Sequence, residues 1–516
     1  MSNPATKGCH NCRRRRLRCD RSVPTCLKCS TNGEECLGYG TLLRWTNAPA
    51  IKGKLAGQFR TPVQKHSQPV TGNGKQRDCK EEPDEQLLDE SPSPDSDSET
   101  RYTILPGLLD PIFDQLNRNE RCYIDHFSTA VCRDLVSHDQ VGHNPFRGMI
   151  PLIQEHGYLQ SIIVATSAMH LATANQHHGR PARRQLVDAL AAKHKAIRLL
   201  REAIEASPAN QTAILAAIIF FVNLDLIDSG KGMWENHVKA AENLISSLQR
   251  RKLNRQELDL VPLADAITAD CLTYRILGPT IGGDGVLPDF GDKIDVPAVL
   301  KRAQTHSYHC SPPDIMNMIL LANQHCAHGS ATGDDEATRR KLASLLEQAR
   351  AFDVHTWVYG IEGLAPDDDL EARVSIASAH RAAACLYILL VMPVAEDDSL
   401  EGRGPDYHDL EDLEDDIFNH LSRVPMDHSL LKGTVWPTFM AGAQTDDPAK
   451  RKSCQERLGA VYTQHPEHIC PWGYVRTAIE MLDKIWKSKE TEPSGLSRTN
   501  WLQRLRNDKE GRALIV

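Results

Sequence analysis

The chain has 516 residues, of which 41% are hydrophobic, 25% charged and 5% aromatic, and its net charge is −8. This length predicts a small module attached to one large domain or two medium ones, and the low aromatic content favours helices over a sheet-rich fold. The longest apolar run, Ala213 to Val222, has 10 residues, well short of the roughly 20 that cross a membrane. It is predicted to be a buried core helix, and no membrane association is expected.

Charge is distributed unevenly along the chain. Residues 1–77 carry 15 Lys and Arg against 3 Asp and Glu, whereas residues 78–99 carry 1 against 10. The remainder, residues 100–516, is acidic, with 44 basic residues against 55 acidic ones. This asymmetry predicts that a polyanion binds to the N-terminal segment alone.

Six of the 15 cysteines lie close together near the N-terminus, and their spacing, C-x2-C-x6-C-x6-C-x2-C-x6-C, repeats the same half twice. No apolar secretory stretch precedes them, so a reducing compartment and free thiols are expected. A tetrahedral zinc ion needs four ligands, so two ions need eight positions from six sulfurs, and two cysteines must bridge. Pseudo-symmetry selects Cys9 and Cys26 as the bridges. The predicted metal ligands are Cys9, Cys12, Cys19, Cys26, Cys29 and Cys36.

This segment resembles the DNA-binding domain of the fungal binuclear zinc cluster transcription factors. The match covers all six cysteines, the basic residues between Cys12 and Cys19, Asp20, and Pro24 in the turn between the halves. The resemblance implies two short helices around a cluster of two zinc ions within residues 1–45, with the same bridging pair. Without the resemblance, a purely structural zinc knot, a disulfide motif or a thiolate store would also use these cysteines.

The run "CRRRRLRCD" supplies the predicted DNA contacts. By the family's pattern, Arg15 and Arg16 reach base edges in the major groove, although most members have lysine where Arg16 stands. Arginine donates two bonds to guanine, so a preference for CGG-type triplets is expected. Phosphate contacts are predicted for Arg13, Arg14, Arg18 and Lys28. The simpler alternative for the arginine run is a nuclear import signal, a role that can coexist with DNA binding.

Residues 46–100 are predicted to be a disordered linker, first basic and then acidic. The stretch "EEPDEQLLDESPSPDSDSE" is polar and rich in Pro and Ser, so it buries too little apolar surface to fold. A solvated spacer is favoured over an activation segment around Leu87 and Leu88. Between residues 40 and 130 no apolar heptad pattern persists for the three or four repeats of a coiled coil.

Residues 101–490 are predicted to form an all-α domain, followed by a polar tail over residues 491–516. One apolar helical stripe is predicted in the segment 183–207, in which Ser207 is the N-cap of the next helix and Pro208 its first residue. The members of the stripe are Leu186, Leu190, Ile197, Leu200 and Ile204. The motifs "YIDHFSTAVC", "WENHVKAAENLI" and "WPTFMAGAQTDDPAKR" resemble the fungal-specific regulatory domain that usually accompanies such zinc clusters.

No enzymatic motif is found. The stretch "GPTIGGDG" (Gly278 to Gly285) lacks the Lys-Ser/Thr of a phosphate-binding loop, and two His/Cys groups lack a spaced carboxylate partner. These groups are His306, His309 and Cys310, and His325, Cys326 and His328. The chain is therefore predicted to be a non-enzyme.

The resemblance implies a sequence-specific regulator of RNA polymerase II promoters, located in the nucleus. Its expected partners are double-stranded DNA and the transcription machinery. The alternative is a ligand-sensing helical regulator whose zinc module is only a nonspecific DNA anchor. Without a coiled coil, the protein either dimerises through the helical domain or binds a single triplet as a monomer, and the dimer is preferred.

Overall fold

In a computed structural model, the chain divides into two units, Met1–Arg101 and Tyr102–Val516. The predicted linker, residues 46–100, and the predicted cap at Ser207 and Pro208 lie outside the described residues. The structure describes residues 9, 12, 15, 17–22, 26–32, 36, 116–140, 142–206, 211–248, 260–281, 294–393, 407–463, 472–491, 500–507 and 512–516.

The described part of the first unit is built around cysteines. One short helix, α1 (Leu27–Thr31), begins after Cys26, whose Sγ accepts a hydrogen bond from the Cys29 amide. In the other half, Cys12 is helical and its carbonyl accepts from the Leu17 amide at 2.8 Å. The other predicted short helix, which contains Cys12, therefore lies mostly outside the described residues.

In the second unit, every regular element that the structure describes is helical. Helix α2 runs from Arg118 to Asp134 through a π-helical turn, Phe127–Val131, and two 3-10 turns follow, Pro145–Met149 and Pro151–Gln154. The next helices are α3 (Gly157–His177), α4 (Arg183–Ala206), α5 (Gln211–Asp228), α6 (Trp234–Leu248) and α7 (Val261–Ile281).

The remainder of the second unit continues this helical pattern, with one further 3-10 turn at Ser429–Thr434. Its helices are α8 (Val296–Ala303), α9 (Pro313–Thr332), α10 (Asp335–Ala351), α11 (Val354–Tyr359), α12 (Leu370–Val391), α13 (Tyr407–Ser422), α14 (Val435–Gln444), α15 (Pro448–Thr463), α16 (Gly473–Glu490) and α17 (Trp501–Asn507).

Helices α5, α7 and α12 form the centre of this unit and are apolar on all sides. Helix α5 packs against α3, α6 and α7, and α12 packs against α9, α10 and α13. By length and composition α5 and α12 could each cross a membrane, but 89% and 83% of their apolar windows are buried inside the unit. An all-round hydrophobic helix of this kind belongs to a protein core. The prediction of a buried helix at Ala213 to Val222 is thus confirmed.

The contact between α6 and α7 depends on the absence of a side chain at Gly278. A Cβ at this position would lie 2.2 Å from the ring of Trp234, so only glycine allows this approach. Gly278, the first residue of the stretch "GPTIGGDG", therefore has a packing role within α7.

The members of the predicted apolar stripe of α4 do not lie on one buried face. Leu200 is buried and Leu186 is partly buried, but Leu190, Ile197 and Ile204 are exposed. The buried face instead uses two small residues, Ala189 and Ala196. Alanines let α4 approach α3 closely, and this rotates the larger apolar side chains towards solvent.

The segment predicted as a polar tail contains residues that pack into the core. In α17, Trp501 and Leu502 are buried, and the Trp501 indole donates to the side-chain oxygen of Gln444 at 3.0 Å. Residues 513–516 are at most 1% exposed. The Leu514 amide donates to the Gly230 carbonyl at 2.9 Å, and the Tyr474 hydroxyl donates to the carbonyl of residue 516 at 3.0 Å. The polar composition of the surrounding residues hid these apolar contacts.

The π turn of α2 positions a buried polar chain. In a regular α-helix, residues eight apart point about 80° away from each other, and the extra residue of a π turn removes most of this difference. His126 and Asp134 therefore both reach His170 on α3, with an Nε2–Nδ1 distance of 2.9 Å and an Nε2–Oδ2 distance of 3.0 Å. Burial and the neighbouring His170 lower the pKa of His126 to about 3. The chain thus links His126 through His170 to the Asp134 carboxylate.

A second buried polar group joins distant parts of the unit. The Arg373 guanidinium forms two 2.7 Å hydrogen bonds with the Asp368 carboxylate, and both side chains are 1% exposed. Arg373 also donates to the Ser137 hydroxyl at 3.0 Å and to the Cys310 sulfur at 3.5 Å. Burial raises the pKa of Cys310, and the thiol is one contact of this structural cluster.

Members of the two His/Cys groups found in the sequence pack inside the helical unit. His309 is buried with its ring 4.0 Å from that of Tyr308, and burial lowers its pKa to about 3. The Cys326 thiol donates to the Val391 carbonyl at 3.8 Å. Among the described residues, groups of three or more side chains placed to hold a metal occur in the N-terminal cysteine cluster.

Breaking the buried ion pair should strongly destabilise the helical unit. Asp368→Asn leaves the Arg373 charge buried without its counter-charge, so the free energy of unfolding should fall by about 3–5 kcal/mol. The matched control is Glu336→Gln, which removes an exposed partner of Arg340 and should cost less than about 1 kcal/mol. Urea unfolding followed by circular dichroism measures both, and equal losses would contradict the assigned role.

Acid should destabilise the unit through its buried histidines. Burial lowers the pKa of His380 to about 4, and its Nε2 lies 2.9 Å from the Gly433 carbonyl. An unfolded histidine titrates near 6.5, so between about pH 6.5 and 4 only the unfolded state gains the proton. Each such histidine then lowers the free energy of unfolding by about 1.4 kcal/mol per pH unit as pH falls, while above pH 6.5 its contribution is constant.

The variant His380→Gln retains a donor for the Gly433 carbonyl and should reduce this pH slope by about one proton. His355→Gln, at an exposed position, is the control and should leave the slope unchanged. The measurement is the free energy of unfolding at intervals between pH 7 and 5. An identical slope in the wild type and in His380→Gln would refute the assignment.

Candidate metal centre and nucleic-acid interface

The six predicted cysteines come together in the structure. Their sulfurs form two groups of four in which all ligand atoms lie within 4.8 Å of one another. The first group is Cys9, Cys12, Cys19 and Cys26, and the second is Cys9, Cys26, Cys29 and Cys36. Cys9 and Cys26 are shared, so six sulfurs offer eight ligand positions. The groups therefore have the arrangement that a pair of bridged tetrahedral ions requires.

The sulfur–sulfur distances fit metal ligation and exclude disulfides. The Cys9 Sγ lies 3.6 Å from that of Cys26 and 3.7 Å from that of Cys29, and Cys12 and Cys26 are 3.8 Å apart. A disulfide has an S–S length of about 2.05 Å. Zinc–sulfur bonds of about 2.3 Å in a tetrahedron place the sulfurs about 3.8 Å apart. The donor set therefore fits zinc in both charge and size.

Backbone amides support the sulfurs in the same way in both halves. The Cys12 amide donates to the Cys9 Sγ at 3.4 Å, and the Cys29 amide donates to the Cys26 Sγ at the same distance. A further bond runs from the Cys9 amide to the Cys19 Sγ at 3.4 Å. These amides would disperse negative charge on the two shared sulfurs, which would contribute to both groups of ligands if zinc is bound.

Asp20 connects the two halves. Its carboxylate accepts from the hydroxyl of Ser22 and, at 3.0 Å and 3.4 Å, from the amides of Leu27 and Lys28 in the first turn of α1. These hydrogen bonds, with that of Ser22 foremost, hold the pKa of Asp20 well below its usual range. The turn between them places Arg21 in the left-handed region, with φ 63°. The hydrogen bonds to α1 thus explain the presence of an aspartate after Cys19. Ser22 supports this carboxylate, a role that the cysteine spacing does not predict.

Among the predicted DNA contacts, Arg15, Arg18 and Lys28 are described, and all three are exposed. Lys28 lies in α1, and its amide is bound by Asp20, so the zinc module fixes its backbone. Arg13, Arg14 and Arg16, and the predicted turn at Pro24, lie outside the described residues. The surface next to the sulfurs is therefore basic in its described part, as binding to a polyanion requires.

Comparisons with known proteins agree with this geometry. Residues 7–46 match the family model "Fungal Zn(2)-Cys(6) binuclear cluster domain", and residues 122–513 match "Fungal specific transcription factor domain". The "Acriflavine sensitivity control protein acr-2" of Neurospora crassa is 43% identical over 590 residues, which span 99% of this chain and 97% of the relative. No solved structure matches the chain significantly.

The matches identify the function at the level of the class. The N-terminal module is a zinc-binding, DNA-binding domain whose six cysteines can hold two zinc ions, and the large helical unit is a fungal-specific transcription factor domain. The chain is a transcription regulator rather than an enzyme. It belongs to the fungal transcription factors that carry a Zn(2)-Cys(6) binuclear cluster.

Proposed function

We propose that this protein acts in the nucleus at RNA polymerase II promoters and reads CGG-type triplets through Arg15 and Arg16. The observation that carries the proposal is the pair of overlapping four-sulfur groups, which position a basic segment next to a compact metal centre. Arg15 is exposed beside this centre. Arginine can donate two hydrogen bonds to O6 and N7 of a guanine, and this geometry supplies sequence discrimination.

The proposed division of labour follows from the different targets of the basic side chains. Arg13, Arg14, Arg18 and Lys28 would neutralise phosphates, which fix the orientation of the module without reading sequence. Cys9 and Cys26 would bridge the two zinc ions, with Cys12, Cys19, Cys29 and Cys36 as terminal ligands. Zinc supplies the cross-link that keeps the two halves of the module in one geometry.

The proposed organisation is a zinc module over residues 1–45, a linker over residues 46–100 and a regulatory domain that begins near residue 101. The regulatory domain would pair two copies of the chain and contact the transcription machinery. Because the chain is similar to a protein named for control of acriflavine sensitivity, its proposed targets include genes that determine sensitivity to such compounds.

Zinc stoichiometry tests the bridging assignment. The full chain should bind two zinc ions, and Cys26→Ser should lose both because each ion loses a ligand. Cys36→Ser, which removes a terminal ligand of one group, should retain one ion. The control Cys122→Ser changes an exposed cysteine of the helical unit and should retain two. Zinc per chain is counted by native mass spectrometry, and one retained ion in Cys26→Ser would refute the bridge.

Base reading is tested with the double variant Arg15→Ala/Arg16→Ala. Each bidentate arginine–guanine contact discriminates by about 1–3 kcal/mol, so the preference for the selected triplet over a scrambled site should fall by roughly 10-fold or more. The matched control Lys28→Ala should weaken binding to both sites equally and reduce the salt slope by about one phosphate contact. Binding is measured by fluorescence anisotropy at several salt concentrations.

The same experiment separates the alternative function. If the zinc module is only a nonspecific anchor, the wild type shows no triplet preference, and the double variant loses only salt-dependent affinity. That result would remove the base-reading role and leave the helical domain as the seat of specificity.

A further inference from the structure

Helix α4 presents an apolar surface to solvent. Val187, Leu190, Ile197 and Ile204 are 58%, 53%, 45% and 52% exposed. Nine large apolar side chains are exposed among the described residues, and these four all belong to α4. Such a concentration on one helix marks an interaction surface, whereas single exposed apolar residues need no explanation.

The surface has the spacing of a coiled-coil seam. Positions 187, 190, 194, 197, 201 and 204 alternate by three and four residues, which is the a/d pattern of a heptad. The d positions are Leu190, Ile197 and Ile204, and the a positions are Val187, His194 and Arg201. The opposite face of the helix, with Ala189 and Ala196, is buried against α3. Helix α4 is thus anchored on one side and ready to pair on the other.

We infer that this seam pairs with α4 of a second copy of the chain in an antiparallel arrangement. The inference deepens the dimer included in the proposed function by naming its surface. In an antiparallel pair Leu190 faces Arg201 of the other copy and His194 faces Ile197, so no cation faces its own equivalent. A parallel pair would place Arg201 against Arg201, which is unfavourable.

Charges beside the seam favour the same arrangement. Arg184 and Glu205 occupy equivalent flanking positions near opposite ends of α4, and antiparallel pairing brings each next to the other in the second copy. Within one helix these residues pair with Asp188 and Arg201, at 3.9 Å and 3.1 Å, and Arg184 and Glu205 are 71% and 68% exposed, so both side chains are accessible to a second copy. The contact is made twice around one two-fold axis, so the assembly closes as a dimer.

The size of the surface determines how tightly the copies associate. Helix α4 has 24 residues and is about 36 Å long, enough for three a and three d layers. A single helix pair of this length buries less than the roughly 1,600 Å² of a standard interface, so self-association should depend on concentration. A dimer would carry two zinc modules.

The test is sedimentation equilibrium of the full chain over a concentration series. Leu190→Glu/Ile197→Glu places charges in the seam and should raise the dimer dissociation constant by at least about 30-fold. Met233→Glu, at a 62% exposed position outside α4, is the matched control and should leave the constant unchanged. Circular dichroism verifies that the helices persist, as expected for changes at exposed positions.

Charge exchange tests the antiparallel direction and does not depend on the seam variant. Arg184→Glu and Glu205→Arg should each weaken the dimer, and the double variant should restore it to within about 3-fold of the wild type. A wild type that is monomeric throughout, a seam variant that dimerises normally, or a control that dissociates equally would overturn the assigned surface. Failure of the double variant to restore association would overturn the antiparallel arrangement.

Binding to DNA with a single triplet separates this inference from the proposed function. The seam variant should bind one triplet with the affinity and preference of the wild type, because the zinc module is unchanged. A wild type that shows no triplet preference would instead overturn the proposed base reading, and the inferred dimer would be unaffected.

Discussion

Coordination geometry is the constraint on which the N-terminal module depends. In its described part, the buried side chains are all cysteines, Cys9, Cys12, Cys26 and Cys29, while Leu17 and Leu27 are exposed. A module without an apolar core cannot offset the conformational entropy of its own chain, so metal–sulfur bonds must supply the folding free energy. The sharing of two sulfurs makes the halves interdependent, and Asp20 adds a link between them through polar contacts alone. The basic residues are thus held in place by a module whose described core consists of cysteines.

The helical unit is stabilised in the opposite way. Its centre is an apolar set of helices, and some of the polar groups that it buries are paired with residues far away in the sequence. Arg373 joins Asp368 to Ser137, and Lys432 donates to three carbonyls at the end of α2, those of Arg133, Asp134 and Val136. Buried charges that are paired in this way are tolerated, but removing one partner strongly lowers the free energy of unfolding. These contacts connect α2 and the segment after it to α12 and to the 3-10 turn at Ser429–Thr434.

The sequence predicts features that depend on nearby residues and fails for those that depend on distant ones. The cysteine spacing is sufficient for the metal centre because ligand number and bond length leave few solutions within 28 residues. The long apolar runs likewise predict core helices. By contrast, the outward rotation of Leu190 and Ile197 depends on how close α4 lies to α3, and the burial of Trp501 depends on Gln444, 57 residues away. Periodicity identifies an apolar face but does not state which of two faces meets the core.

The π turn of α2 has a consequence for how this domain tolerates length changes. Its single additional residue sets the rotational phase between His126 and Asp134, and both depend on this phase to reach His170. A regular α-helix over the same residues would leave the two side chains about 80° apart, so the carboxylate would point away from His170. Deleting one residue of 127–131 removes the π turn and shortens the spacing to seven residues, which in a regular helix differ by only about 20°. A homologue that is one residue shorter here should therefore form a regular helix and keep all three side chains of the polar chain.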